Sequence, residues 1–324
     1  MLIVDAQVHL WANNVPANPG HRQIPNFKAD DLLKEMDEGG IDAAIIHPPS
    51  WDPDSDSLAL EAAKAHPNRL SILGKIPLDN PESRSRVDGW LNQPGMLGFR
   101  FSFTQPHQAT WPTDGTMDWV WPEAERLGIP VALMASNYMS MVAPIAEKHP
   151  RLKLIVDHLG RVGGTTDAEC FATLPEMLAL AKYPNVAIKA TGAPSYSSGS
   201  YPFSSIHNYL HQIYDAFGPE RMFWGTDITR MPCSWKQCVT MFTEELSWLS
   251  KSDKELVMGK AVCDFLGWIS RGRSIPIPSR ERPTGFATRT ACLNLSPRAV
   301  AWGLISLVNG VCPRRRDSSA DASE

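Results

Sequence analysis

Strand-like and helix-like segments alternate along most of this chain, and that order restricts the fold more than any other feature. The strand pattern is read at residues 2–11, 42–47, 70–76, 96–103, 130–135, 152–157, 186–190 and 222–225. Helical patterns fall between them, several stopped by glycine, as at Gly39-Gly40. Repeated strand-then-helix order requires parallel strands joined by crossover helices. Eight such units close most simply into an α/β fold of the (β/α)8 TIM-like barrel type. A doubly wound open sheet is the runner-up, disfavoured because no glycine-rich phosphate loop follows the first strand.

The first strand, Leu2 to Trp11, carries the clearest chemical signal. Simple alternation puts Asp5, Gln7 and His9 on one face and Val4, Ala6 and Val8 on the other. Polar side chains inside a barrel are costly unless they are paired or used. In this architecture function gathers at the C-terminal ends of the strands. Those ends supply Gln7, His9, His47, Arg100, His158, Arg161, Lys189 and Asp227. Six of the ionisable groups among them, His9, His47, Arg100, His158, Lys189 and Asp227, are already more than a packed interior needs.

The remaining properties mainly exclude. A net charge of −4 gives no reason to expect nucleic acid. No apolar run is long enough to span a bilayer, and no basic leader precedes the first strand. Six cysteines without a CxxC pair fit free thiols in the cytoplasm, the expected location. After Trp268 the composition changes: residues 271–324 hold nine arginines, no lysine and four acidic residues. The expected domains are a barrel at 1–268 and an Arg/Ser/Pro-rich, disordered tail at 269–324.

Four motifs in order, Asp5-x-x-x-His9-x-Trp11, Gly98-Phe99-Arg100, Asp157-His158-x-Gly160-Arg161 and Trp224-Gly225-Thr226-Asp227, resemble the amidohydrolase-related family. The resemblance spans residues 2 to about 268. It points to the branch that holds 2-pyrone-dicarboxylate lactonase, fuconolactonase-type enzymes and aromatic acid decarboxylases. Metal-dependent members of the family use His-x-His on the first strand, a histidine on the fifth and the aspartate of the eighth. Here Gln7 replaces the first histidine, and the fifth strand has none. Two ligands are therefore missing, and the expectation is a site without metal. A catalytic zinc takes about three protein ligands.

The reaction expected on that basis is metal-independent hydrolysis of a carboxylated lactone or similar activated ester. Asp227 is the general base for water, and His9, His158 and Arg100 polarise the carbonyl. Gln7, Arg100, His47, Lys189 and Arg161 are expected to bind a small anionic substrate. The alternative is non-oxidative decarboxylation of a hydroxylated aromatic acid, with a divalent metal such as zinc as cofactor. A barrel that only binds a small molecule is a third possibility. Barrels of this branch often pair, which leaves a homodimer open.

Overall fold

A computed structural model describes residues 1–161 and 163–268. The expected tail at 269–324 lies outside the described residues. Eight parallel strands form one sheet in sequence order: β1 (Val4–Val8), β2 (Ala43–Ile46), β3 (Leu70–Gly74), β4 (Met96–Phe101), β5 (Val131–Leu133), β6 (Leu154–Val156), β7 (Val186–Thr191) and β8 (Met222–Gly225). Helices lie between them, and β8 meets β1, so the sheet is a nearly closed TIM-type barrel. The eight expected units are all present. Some connections are only briefly helical: the one between β3 and β4 holds Ser83–Arg86 and a short turn at Trp90–Asn92.

The barrel interior is filled by Val4, Ala6, Ala43, Ile45, Leu73, Ala132, Ile155, Ala187 and Phe223. The helix Ala261–Leu266 packs into the same cluster. A second apolar cluster, with Val8, Ala44, Ile46, Leu133 and Val156 from the strands, joins sheet to helices. Alternate strand residues thus serve two cores, as a two-layer α/β architecture requires.

β1 breaks that alternation. Asp5 pairs with Ala44 and Val8 with Ile46, so Ala6 and Gln7 together face the single residue Ile45. This is a β-bulge, which inserts one residue and turns the following side chains to the other face. The expected single face of Asp5, Gln7 and His9 is therefore corrected. Asp5 points to the helix layer, where Trp235 Nε1 donates to it at 2.9 Å. Gln7 and His9 point into the mouth, where they contact His158 and Asp227 respectively.

Asp5 also joins β1 to β8. Its Oδ1 accepts from the backbone N–H of Thr226 at 2.8 Å and of Gln7 at 2.9 Å. Its Oδ2 accepts from the Thr226 hydroxyl. One more link, Asp227 N–H to the Gln7 carbonyl at 2.9 Å, completes the seam. Burial pushes the Asp5 carboxyl up to about 6, against these hydrogen bonds. Glycine is required at 225: a Cβ there would lie 2.8 Å from Ala6 N and 3.0 Å from Asp5 Oδ1.

Candidate active site

The strand ends and following loops enclose a cavity of about 490 Å³ at the C-terminal mouth. Three loops contribute: Ala17, Asn18 and His21 from residues 12–28, Thr104, Gln105, Gln108 and Trp111 from 104–115, and Tyr196 from 192–203. Trp51 and Trp111 line the wall, whereas Trp11 and Trp224 pack into the core. Tyr201 instead hydrogen-bonds Thr240 and Glu245.

Asp227 sits at the centre, 2% exposed. Its Oδ2 receives Arg230 Nε at 2.5 Å. Its Oδ1 lies 3.2 Å from His9 Nε2 and accepts no hydrogen bond from the described residues. Burial works to raise this carboxyl, but the charges of His9 and Arg230 overcome it and hold it well below the usual carboxylate range. Asp227 and His158 both adopt left-handed backbone, with φ of 58° and 56°. Such backbone is sparsely populated by non-glycine residues and clusters at functional sites.

His158 is fixed on both ring nitrogens. Nδ1 lies 3.1 Å from Arg230 Nη2 and 2.9 Å from Thr191 Oγ1. A guanidinium only donates, so Nδ1 is the acceptor and Nε2 carries the proton. Gln7 faces that Nε2 at 2.9 Å, and its Oε1 is otherwise buried without a partner. Turning the amide over puts the oxygen where the imidazole donates and satisfies both groups. Burial, reinforced by Arg230, pushes His158 down to about 3, so it is neutral at pH 7.

That shift has a sign for stability. A histidine whose folded pKa is depressed stabilises the fold above its unfolded pKa, near 6.5, and loses that contribution as pH falls toward about 3. The parent protein is expected to lose stability below pH 6.5 with a slope of up to about 1.4 kcal/mol per pH unit from this group. Urea denaturation of His158→Gln across pH 4–7 should show a flatter profile. An unchanged slope would assign the effect elsewhere.

Below the cavity runs a buried ion network. Asp157 receives Arg100 Nε at 2.7 Å and lies 3.0 Å from Lys189 Nζ. Lys189 Nζ is also 3.0 Å from His47 Nε2. Burial pushes the Lys189 ammonium down to about 8, with Asp157 opposing. Lys189, His47 and Gln7 do not line the cavity and are fully buried. In place of the expected contact with substrate, the bonds they show are to other site residues: Gln7 to His158, and Lys189 to Asp157 and His47. Arg100 and Arg161 do line the cavity, and Arg161 Nη2 is buried with no partner among the described residues.

Two site residues were missed by sequence reasoning. Arg230 follows Asp227 by three residues on the short turn Ile228–Arg230, which folds its guanidinium back onto the carboxylate. Gly192, at φ +77°, makes room for it: a Cβ there would lie 2.2 Å from Arg230 Nη2. His21 comes from the loop between β1 and the first long helix, and no local pattern marks it. It is 7% exposed, and its Nδ1 lies 2.8 Å from Thr229 Oγ1.

With His21 the donor count changes. His9, His21 and Asp227 each present one ligand atom within 4.8 Å of the others. Two imidazoles and a carboxylate are a common zinc donor set, and ligands about 2.0–2.1 Å from a tetrahedral ion sit roughly 3.3 Å apart. The 3.2 Å separation of His9 and Asp227 and the orphaned Asp227 Oδ1 both fit. The residues present thus fit a divalent cation.

A family model described as amidohydrolase matches residues 4–282. The chain belongs to the amidohydrolase family. A curated relative of this amidohydrolase is the L-fucono-1,5-lactonase of Burkholderia ambifaria, 20% identical over 69% of this chain and 79% of that protein. Among solved structures, an amidohydrolase from Burkholderia multivorans with bound zinc superposes with a TM-score of 0.72 at 19% identity. It covers 83% of this chain and all of its own. A probable 2-pyrone-4,6-dicarboxylic acid hydrolase from Acinetobacter baumannii, with citric acid bound, gives 0.63 at 18% identity, covering 83% of this chain and all of its own. At such identities these likenesses show the barrel. No helix among the described residues is long and apolar enough to cross a membrane.

Proposed function

We propose that this amidohydrolase hydrolyses a carboxylated lactone or a similarly activated ester ring, with Asp227 taking the proton of the attacking water. The observation that carries the reading is Asp227: a buried, ionised carboxylate in the cavity lining, whose Oδ2 is taken by Arg230 while Oδ1 faces only His9. His9 and Arg230 keep its proton affinity low, so it can serve only where the carbonyl carbon is already reactive. A lactone or enol ester meets that condition and an unactivated amide does not. His158, neutral and protonated on Nε2, donates toward the developing oxyanion by exchanging its Gln7 acceptor for it. Arg100, which lines the same cavity, polarises the carbonyl with it.

The charge of the wall supports an anionic substrate. Lys75, Arg100, Arg161 and Arg230 line the cavity against one carboxylate, Asp227. Arg161 Nη2 is the donor left over, suited to a substrate carboxylate. The related lactonase and pyrone-dicarboxylate hydrolase support the substrate class by analogy. Metal independence, expected from two donors, does not follow from three. A divalent ion held by His9, His21 and Asp227 would supply a more acidic water.

Acid release from a panel of neutral, mono- and dicarboxylated lactones tests the reading in a pH-stat. Turnover should favour the carboxylated members. Arg161→Met should raise KM for them by about tenfold or more, the worth of one charge-assisted hydrogen bond, and leave neutral lactones unaffected. If no lactone is opened while a hydroxybenzoate loses carbon dioxide, decarboxylation replaces hydrolysis. Phe101, Phe103, Trp51 and Trp111 in the cavity wall are the feature that favours that second reading.

A further inference from the structure

We infer that His21 completes a divalent transition-metal site with His9 and Asp227, and that the loop between β1 and the helix Ala29–Gly39 is fastened across the mouth to deliver it. The inference shares Asp227 with the hydrolytic reading but stands on donor geometry alone. His9 Nδ1 lies 2.6 Å from the His47 carbonyl, an acceptor only, so Nδ1 must donate. Nε2 faces the Asp227 carboxylate at 3.2 Å. So close an approach is met either by a proton on Nε2 or, when Nε2 is unprotonated, by a cation held between the two groups.

His21 brings a third acceptor to the same place. Thr229 Oγ1 engages its Nδ1 at 2.8 Å; with Nδ1 as the donor, Nε2 is the nitrogen left to bind a cation. Engagement of the distal nitrogen by an oxygen is the usual outer-sphere arrangement of a metal-binding histidine, and both imidazoles show it. The rings of His9 and His21 meet edge to face at 5.5 Å, and Trp51 packs on both. Arg230 occupies the other carboxylate oxygen, which leaves Oδ1 for the cation.

The loop is anchored independently of any ion. Arg22 N–H donates to the Thr229 carbonyl at 2.7 Å, one residue from His21. The Arg22 guanidinium grips Glu35 through two bonds of 2.6 and 2.9 Å. Trp11 and Phe27 pair backbone to backbone, and Trp11 Nε1 donates to the Ile24 carbonyl. A donor so fastened loses little further freedom on binding, which is how a loop residue can serve as a ligand. Two imidazoles and one carboxylate select zinc, cobalt or nickel over calcium or magnesium.

The test is metal binding, not turnover. Purified protein is dialysed against zinc and then metal-free buffer, and bound zinc is counted by mass spectrometry with affinity from titration. The parent should retain one zinc per chain. His21→Ala should weaken zinc by about 100-fold or more, and Thr229→Val, which frees the ring without removing it, by about 10-fold. His211→Ala, at a surface imidazole remote from the site, should bind as the parent does. Circular dichroism confirms that each variant folds, and the milder Thr229→Val preserves the test if His21→Ala does not. Parent protein without zinc, or His21→Ala binding it equally, overturns the inference. The substrate panel is scored separately, so either reading can fail alone.

Discussion

Asp227→Asn is expected to lower kcat by about 10²–10⁴, the usual contribution of a positioned acid or base, with KM nearly unchanged. Asparagine is the informative replacement because it tolerates the left-handed backbone that residue 227 adopts at φ 58°. Alanine would add strain to the chemical loss. The variant keeps the shape of the carboxyl but cannot take a proton from water. It also strips His9 and Arg230 of their counter-ion, so a lower melting temperature should accompany the lost rate. Initial rates of lactone opening beside a thermal melt separate the two effects. A folded variant that keeps a tenth of the parent rate would remove Asp227 from the proton transfer.

The largest loss of stability is expected from Asp157→Asn. Asp157 and Lys189 are both fully buried, and Arg100 completes their network. Burial alone would raise the Asp157 carboxyl, yet Lys189 and Arg100 hold it far below the usual carboxylate range. Removing that charge leaves two cations facing each other below the cavity. Breaking a buried pair in this way costs about 3–5 kcal/mol, against a total of about 5–15 kcal/mol for a typical domain. Urea denaturation at pH 7 measures it directly. A variant within about 1 kcal/mol of the parent would show that the cations find other relief. Lys189 is the first candidate, since its ammonium is already pushed down to about 8.

The barrel was legible because its evidence is periodic: eight apolar runs separated by helical segments need no knowledge of distant contacts. The family motifs were legible for the same reason, each lying within a few consecutive residues. What escaped was set by contacts between segments far apart in the chain. Asp5 was placed with Gln7 and His9 because nothing in the run Val4-Asp5-Ala6-Gln7-Val8 announces a bulge. The bulge is visible only when β2 supplies one residue opposite two. Lys189 and His47 lie on strands that enter the mouth, and residue type alone does not tell the cavity floor from the layer beneath. His21 belongs to an irregular loop, and only its anchorage at Thr229 brings it beside His9. Arg230 was closest to being readable, since a cation three residues after an acid on a tight turn can fold back on it.

The Asp5 seam has a consequence for how the catalyst comes into being. The residues it joins stand 221 positions apart, and His9 and Asp227 lie on either side of it. Loops of that length close slowly, after shorter-range neighbours have docked. A chain emerging from the ribosome with seven strands assembled has a barrel wall but no working centre. Activity is therefore expected only once β8 has docked against β1, and a refolding assay that follows product release would time that step.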